Sequence, residues 1–293
     1  MNKLNLLFTS LICVLLSCFM LASSKSFAAD TFVFTAIPDQ DQSMLIKRFS
    51  ILEKYLANKL GVEVKYIPVK DYAAAVTAFR RGDVQLAWFG GLSGVQARRL
   101  VPGAEAIAQG YEDQLFKTYL IAHSSTNISQ SEKFPQEIKG KSFTFGSKDS
   151  TSGRLMPEYF IQQNLKDTPD HLFKKVGFSG DHSRTIALVE SGAYEIGAVN
   201  YKVWEQAVVD KKVDTSKVNV IWTTPNYPDY HWTIRGDVDK HWGEGFKNRV
   251  TTTLLAIDQK EILDTIPRSK FVAAKNSDYT MIEDVGKQVG LLE

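Results

Sequence analysis

The chain has 293 residues, 44% of them hydrophobic and 23% charged, and its 35 basic side chains nearly balance 33 acidic ones. That balance disfavours nucleic-acid binding and electrostatic attraction to a membrane surface. Its two cysteines, Cys13 and Cys18, both stand near the start, so a disulfide framework further on is excluded and stability has to come from a large buried core.

The first residues read as an export signal. Lys3 precedes the mostly apolar run Leu4 to Ala22, and Ser26-Phe27-Ala28 offers small residues around a cleavage point. Cleavage is expected after Ala28, leaving a signal peptide of residues 1–28 and a mature chain in the periplasm. A rival cut at Leu15-Leu16-Ser17-Cys18, with lipid anchoring at Cys18, ranks second because it would leave Phe19-Met20-Leu21-Ala22 on the mature surface. Removing 28 of 293 residues leaves 265, enough for two lobes. Lys3 and Lys25 go with the signal, and the remainder has 33 basic and 33 acidic residues, no net charge.

Strand and helix signals then alternate. Thr31–Ala36 reads as a strand ending at Ile37-Pro38-Asp39. Leu45, Phe49, Leu52, Leu56 and Leu60 recur at helical spacing, with Gly61 as the stop. Val62, Val64 and Tyr66 alternate as a strand, Tyr72–Arg81 reads as a helix ended by Gly82, and Val84–Phe89 as a buried strand. Gly90-Gly91-Leu92-Ser93 turns into a further helix. This βαβα rhythm predicts an α/β fold with helices on both sheet faces. After the strand Lys117–His123 and the polar loop Ser124–Ser131, a second lobe follows. Its strands are Ser142–Phe145, Lys174–Phe178, Glu195–Val199 and Val218–Thr223. Its helices are Gly153–Asn164, Ser183–Glu190 and Tyr201–Val209. The turn cluster Pro225-Asn226-Tyr227-Pro228 leads to a strand at His231–Arg235, and long helices are expected in the tail.

The most informative stretch is Asp149-Ser150-Thr151-Ser152-Gly153. It lies between the strand Ser142–Phe145 and a helix whose start is placed near Gly153 by Pro157, since proline is tolerated only in a first turn. Three hydroxyls therefore meet the free N–H groups and positive dipole end of a helix. One reading is an anion site built from neutral donors. The other is an ordinary N-cap.

The ordered series Ala36-Ile37-Pro38-Asp39, Asp83–Gly90, Ser150-Thr151-Ser152-Gly153, Gly180-Asp181-His182 and Gly197-Ala198-Val199-Asn200 resembles the phosphonate-type substrate-binding proteins of ABC importers over essentially the whole mature chain. Within that family the likeness is greatest to a selenate-binding branch. The resemblance implies a two-lobed periplasmic binding protein of type II, each lobe a mixed sheet flanked by helices, with ligand held in the cleft by hinge closure. Lobe one would comprise residues 29–121 plus 227–293, and lobe two residues 122–226. The implied partners are a small oxyanion (selenate, phosphite, phosphate or a small phosphonate) and an inner-membrane permease, with the protein a monomer that needs no cofactor. The same module also serves as a sensor reporting to a membrane receptor, and that reading stays as the alternative.

The resemblance implies that Ser150, Thr151, Ser152 and Gly153 grip the ligand oxygens and that His182 reaches the same oxygens; if its imidazolium form makes that contact, binding tightens below neutral pH. From lobe one, the backbone at Gly91 and Leu92 and the hydroxyl of Ser93 are the facing candidates, although Ser93 also suits a helix cap. Asp39 is a further candidate, with capping the stronger reading for it and for Asp41. Tyr119, Tyr201, Tyr230, His231 and Trp232 stand near lobe crossings or strand ends and suit either the cleft wall or packing. Two departures from the family pattern argue for a small ligand without a cationic tail. Gly94 replaces a tyrosine that would press on an organic substituent, and Asn200 replaces an acid that would meet an ammonium. Should an aminophosphonate bind nonetheless, Glu205 or Asp229 is left to meet the amine. A carboxylate in the cleft, Asp149 or Asp181, would favour a protonated phosphorus oxyanion over fully ionised selenate or sulfate.

Other classes fit poorly. Ser152, His182 and Asp181 offer the residue types of a hydrolytic triad, but adjacent Asp181 and His182 orient each other badly and no Gly-x-Ser-x-Gly elbow occurs. The five histidines, His123, His171, His182, His231 and His241, are dispersed, so no metal site is expected.

Overall fold

The computed structural model describes residues 30–293. The expected signal peptide, its cleavage point and the two cysteines lie outside the described residues.

Among the described residues, eleven strands form two mixed sheets. The first contains β1 (Phe32–Ala36), β2 (Val64–Tyr66), β3 (Leu86–Phe89), β4 (Glu105–Gly110), β10 (His231–Ile234) and β11 (Phe271–Ala273), ordered β11-β4-β10-β3-β1-β2. Here β1 runs parallel to β2 and β3, while β10 runs antiparallel to β3 and β4. The second contains β5 (Thr118–His123), β6 (Ser142–Phe145), β7 (Lys175–Phe178), β8 (Ile196–Asn200) and β9 (Val218–Thr223), ordered β7-β6-β8-β5-β9.

Helices α1 (Gln42–Leu60), α2 (Tyr72–Arg81) and α3 (Gly91–Leu100) follow β1, β2 and β3. Each of the first two ends on a glycine in the left-handed region, Gly61 at φ 69° and Gly82 at φ 83°, as the sequence predicts. Asp41 caps α1 by accepting the N–H of Ser43, so the capping reading holds for Asp41 and not for Asp39. Helices α4 (Met156–Leu165), α5 (His182–Glu190) and α6 (Tyr201–Val209) flank the second sheet, and α7 (Phe246–Leu255) and α8 (Thr280–Val289) return to the first.

Two expectations change. The strand Thr118–His123, placed by the sequence mainly in lobe one, pairs antiparallel with β8 and β9 of the second sheet. The reason is burial on both its faces: Leu120 and Ala122 enter one apolar cluster and Ile121 another, which only an inner strand of that sheet can do. The tail is not made of long helices. Its longest are ten residues each, and between them Phe271–Ala273 adds an edge strand to the first sheet.

The chain passes between sheets twice, and the two crossings touch. Phe116 N–H donates to Tyr227 O at 2.8 Å and Tyr227 N–H to Phe116 O at 2.9 Å. The first core is not confined to its own sheet, because Leu155, Met156 and Tyr201 from the second half of the structure pack into it.

Candidate functional site

The hydroxyl stretch forms a wide turn. Ser150 caps it by accepting the N–H of Gly153 at 2.9 Å, and Leu155 N–H reaches back five residues to Ser150 O at 3.0 Å. Thr151–Leu155 therefore has π geometry, which recurs at functional sites, and α4 proper starts at Met156 with Pro157 in its first turn. Ser150 satisfies the capping reading, but Thr151 and Ser152 are not consumed by the cap. Their N–H groups open the helix with no carbonyl behind them. Gly153 is required by crowding: a Cβ there would lie 3.0 Å from both His182 Cε1 and Ser150 Oγ.

Thr151 faces the other sheet. Its Oγ1 accepts the N–H of Leu92, at the start of α3, at 2.9 Å. The neighbouring Gly91 N–H donates to Asp229 Oδ1 at 2.9 Å, and Ser93 Oγ turns back to the N–H of Gly90. So the Gly91 and Leu92 N–H groups, expected as free donors, hold Asp229 and Thr151 in place, and Ser93 is a cap. Gly90 sits where a Cβ would lie 3.1 Å from Asp229 Oδ1 and 3.2 Å from Thr151 Oγ1.

Two residues that sequence reasoning did not assign to this site complete it. Asp229 Oδ2 is fully buried with no hydrogen-bond partner among the described residues, and so is the hydroxyl of Tyr72, which lies beside Ser150. Burial pushes the Asp229 carboxyl up to about 7, offset in part by the Gly91 N–H and the Thr151 hydroxyl. Native proteins rarely leave buried polar atoms unpaired, so two orphans against one hydroxyl turn mark a place where a polar group belongs. Neither was flagged locally. Tyr72 opens a helix of core spacing, and Asp229 directly follows a turn cluster, where an acid is unremarkable.

His182 is wholly buried. Its N–H donates to Asp39 O at 3.0 Å, its Nδ1 accepts the N–H of Asn200 at 3.3 Å, and its Nε2 lies 3.4 Å from Ser152 Oγ. Accepting at Nδ1 requires the proton on Nε2, facing Ser152. Desolvation lowers its pKa to about 3, which disfavours the charged form near neutrality. Asp39 is buried and raised by desolvation, with Arg48 opposing, and it accepts the Tyr230 hydroxyl at 3.0 Å. Asn200 caps α6 through Oδ1 and donates from Nδ2 to Tyr230 Oη at 3.1 Å.

The geometry places the remaining sequence candidates. Tyr119 is not with the others; its hydroxyl donates to Glu205 at 2.9 Å near the surface. Asp181 caps α5 through Arg184 N–H, and Asp149 accepts the Gln96 amide at 3.3 Å, so neither is the unpartnered acid of the cleft. The triad reading fails because Asp181 does not orient His182, whose Nδ1 is taken by a backbone N–H. A Cβ at Gly94 would overlap His231, which donates from Nδ1 to Asp229 O at 2.9 Å. The glycine makes room for that ring.

Two mixed sheets flanked by helices, joined by a paired double crossing with a polar site between them, define a type II periplasmic binding protein. The profile of the family described as ABC transporter, phosphonate, periplasmic substrate-binding protein matches residues 34–279, and the chain belongs to that family. It is 44% identical over 261 residues to the probable ABC transporter phosphite binding protein PhnD1 of Prochlorococcus marinus (strain MIT 9301), covering 87% of this chain and 88% of that one. The structure of that relative in complex with methylphosphonate superposes with a TM-score of 0.86, covering 89% of this chain and 99% of the other. The phosphonates-binding periplasmic protein of Escherichia coli (strain K12) is 25% identical over 199 residues, 67% of this chain and 58% of that protein. No helix among the described residues is long and apolar enough to cross a membrane.

Proposed function

We propose that the protein captures a singly protonated phosphorus oxyanion, phosphite or a small phosphonate such as methylphosphonate, and presents it to an inner-membrane permease. The observation that carries this reading is the buried, unpartnered Asp229 Oδ2. A monoprotonated phosphite or phosphonate donates its hydroxyl to such an oxygen, whereas fully ionised selenate or sulfate meets it without a proton to share. For this reason we prefer phosphorus oxyanions to the selenate of the branch the sequence most resembles. Tyr72 Oη, the N–H groups of Thr151 and Ser152, the hydroxyls of Ser150 and Ser152 and the Nε2–H of His182 supply neutral donors to the remaining oxygens. The names of the Prochlorococcus relative and of its methylphosphonate complex agree with this chemistry.

Residues 30–117 with 228–293 form one lobe in this reading, residues 118–227 the other, and the Phe116–Tyr227 pair is the hinge. The protein is a secreted monomer whose site is complete within one chain and which catalyses nothing. Family membership favours delivery to a transporter over the sensing alternative. A thermal-shift panel tests ligand class. A ligand at 100 times its Kd adds about 2.7 kcal/mol to stability. Phosphite and methylphosphonate are expected to stabilise strongly, and sulfate, selenate and 2-aminoethylphosphonate weakly, the last because the Asn200 amide is neutral and already bonded. Selenate stabilising as much as phosphite overturns the reading.

His182 acts as a neutral donor, so it should add no pH dependence to binding between pH 5.5 and 8. His182→Gln is expected to weaken binding about tenfold, the loss of one hydrogen bond to a charged ligand, with the shape of the pH profile retained. Stability behaves differently. The folded pKa lies below the unfolded 6.5, so the contribution of a neutral His182 is complete above pH 6.5 and is lost as pH falls toward 3. In denaturant melts the advantage of wild type over His182→Gln should therefore shrink from pH 7 to pH 5. An advantage that grows on acidification would mean that the ring is charged when folded.

A further inference from the structure

A second concave site opens where α1 meets α6. Its volume is 340 Å³, and none of its lining residues belongs to the Tyr72, Ser150 and Asp229 cluster. Four basic side chains line it: Lys47 and Arg48 from α1, Lys202 from α6 and Lys212 shortly beyond. Two acids line it as well, but each has a cation already. Lys212 Nζ lies 3.0 Å from Asp210, and Lys260 Nζ lies 2.6 Å from Asp264. Among the described residues no carboxylate lies within ion-pair distance of Lys47 or Lys202, so the cavity keeps an excess of positive charge.

Arg48 is the group that needs a partner. It is only 9% exposed and its guanidinium donates no hydrogen bond to any described residue, but its nitrogens are not sealed from the solvent of the cavity. Asp39, the acid that most favours its charge, takes its own hydrogen bond from Tyr230 instead. A guanidinium has five donors in a planar fork shaped for two oxygens of one anion, and here that fork opens on the cavity. Gln40, Gln206 and Thr265 add neutral polar atoms to the same wall.

We infer that this seam cavity is a second anion site, in which the Arg48 guanidinium takes two oxygens of a small inorganic oxyanion while Lys47 and Lys202 close over it from opposite lobes. Since its walls come from both lobes, the site is complete only when they are together. An anion there favours the closed form and so tightens the hold on the ligand in the main cleft. By linkage the effect is reciprocal. This coupling rests on the hinge closure proposed above, whereas the existence of the site does not.

Two measurements test the site and the coupling separately. Selenate, a heavy analogue of sulfate, is soaked into crystals of the protein and located by its anomalous signal. A peak within hydrogen-bond distance of the Arg48 guanidinium is expected. No peak there at saturating selenate overturns the site, whatever the main cleft binds. Methylphosphonate is then titrated by calorimetry with and without millimolar sulfate at constant ionic strength. Sulfate should raise its affinity about fivefold or more. Unchanged or weakened affinity, the latter being the mark of plain competition, overturns the coupling. Lys202→Gln and Lys47→Gln should each abolish the sulfate effect and leave affinity without sulfate as in wild type. Arg48→Met, which keeps the length of the stem, should lose the anomalous peak. If Arg48→Met fails to fold, the two lysine variants still decide the matter. A sulfate effect that survives both refutes the assignment.

Discussion

Asp229→Asn is expected to reverse the ligand preference of the protein. Asp229 Oδ1 accepts the Gly91 N–H, which would hold the Asn oxygen in the same place and turn the amide NH₂ toward the ligand. An acceptor for a protonated oxyanion then becomes a donor to a fully ionised one. Phosphite and methylphosphonate should bind weaker by about 1.5–3 kcal/mol, the range for a hydrogen bond involving charge, which is about one to two decades in Kd. Sulfate and selenate should bind tighter than they do to wild type. Calorimetry with all four anions reads both changes, and a uniform loss for every anion would mean that Asp229 only supports the fold. The same residue leaves a mark on stability. Its folded pKa, about 7, is raised above the ordinary 3.8, so its contribution is complete below pH 3.8 and is lost as pH rises through 7. The ligand-free wild type should lose stability between pH 6 and 8 relative to Asp229→Asn, and denaturant melts at the two pH values check this.

The second large effect is expected at Thr151. Its hydroxyl accepts the Leu92 N–H at the start of α3 and helps hold the Asp229 carboxyl, so one oxygen serves both a contact between helices of the two sheets and the proposed ligand acceptor. Thr151→Val keeps the shape and removes the oxygen. It leaves a buried N–H without an acceptor, a loss of about 1–3 kcal/mol that falls on the closed form, where this contact exists. Affinity for the cognate ligand should fall by about one to two decades, chiefly through faster release. Small-angle scattering should show less compaction at a given ligand concentration. Thr151→Ser, which keeps the oxygen, should restore most of the affinity. If Val and Ser behave alike, the methyl packing of Thr151 matters and its hydroxyl does not.

Much of the fold was legible in the sequence because its signals are local. Apolar spacing placed the helix Tyr72–Arg81 and the strands Ser142–Phe145 and Val218–Thr223, and Gly61 and Gly82 marked helix ends that only left-handed backbone closes well. The hydroxyl turn was legible for the same reason, since a run of Ser and Thr ahead of a proline-opened helix is a pattern of neighbours. The edge strand Phe271–Ala273 was not, because three residues carry too little periodicity to separate a strand from a helix end. Nor was the space that Gly94 leaves for the His231 ring, because the two residues meet from far apart in the chain.

By itself, then, the sequence determined the alternation of strands and helices, the helix ends and the position of the Ser150–Gly153 turn, all set by interactions within a few residues. The tertiary structure alone decided that Thr118–His123 belongs to the second sheet, that Asp229 rather than Asp149 or Asp181 keeps a buried carboxylate oxygen without a partner, and that burial lowers the pKa of His182. The physical reason is shared by all three. Strand partnership, orphaned polar atoms and protonation depend on burial and on residues far apart in sequence, such as Gly91 and Asp229, whose contact spans 138 positions.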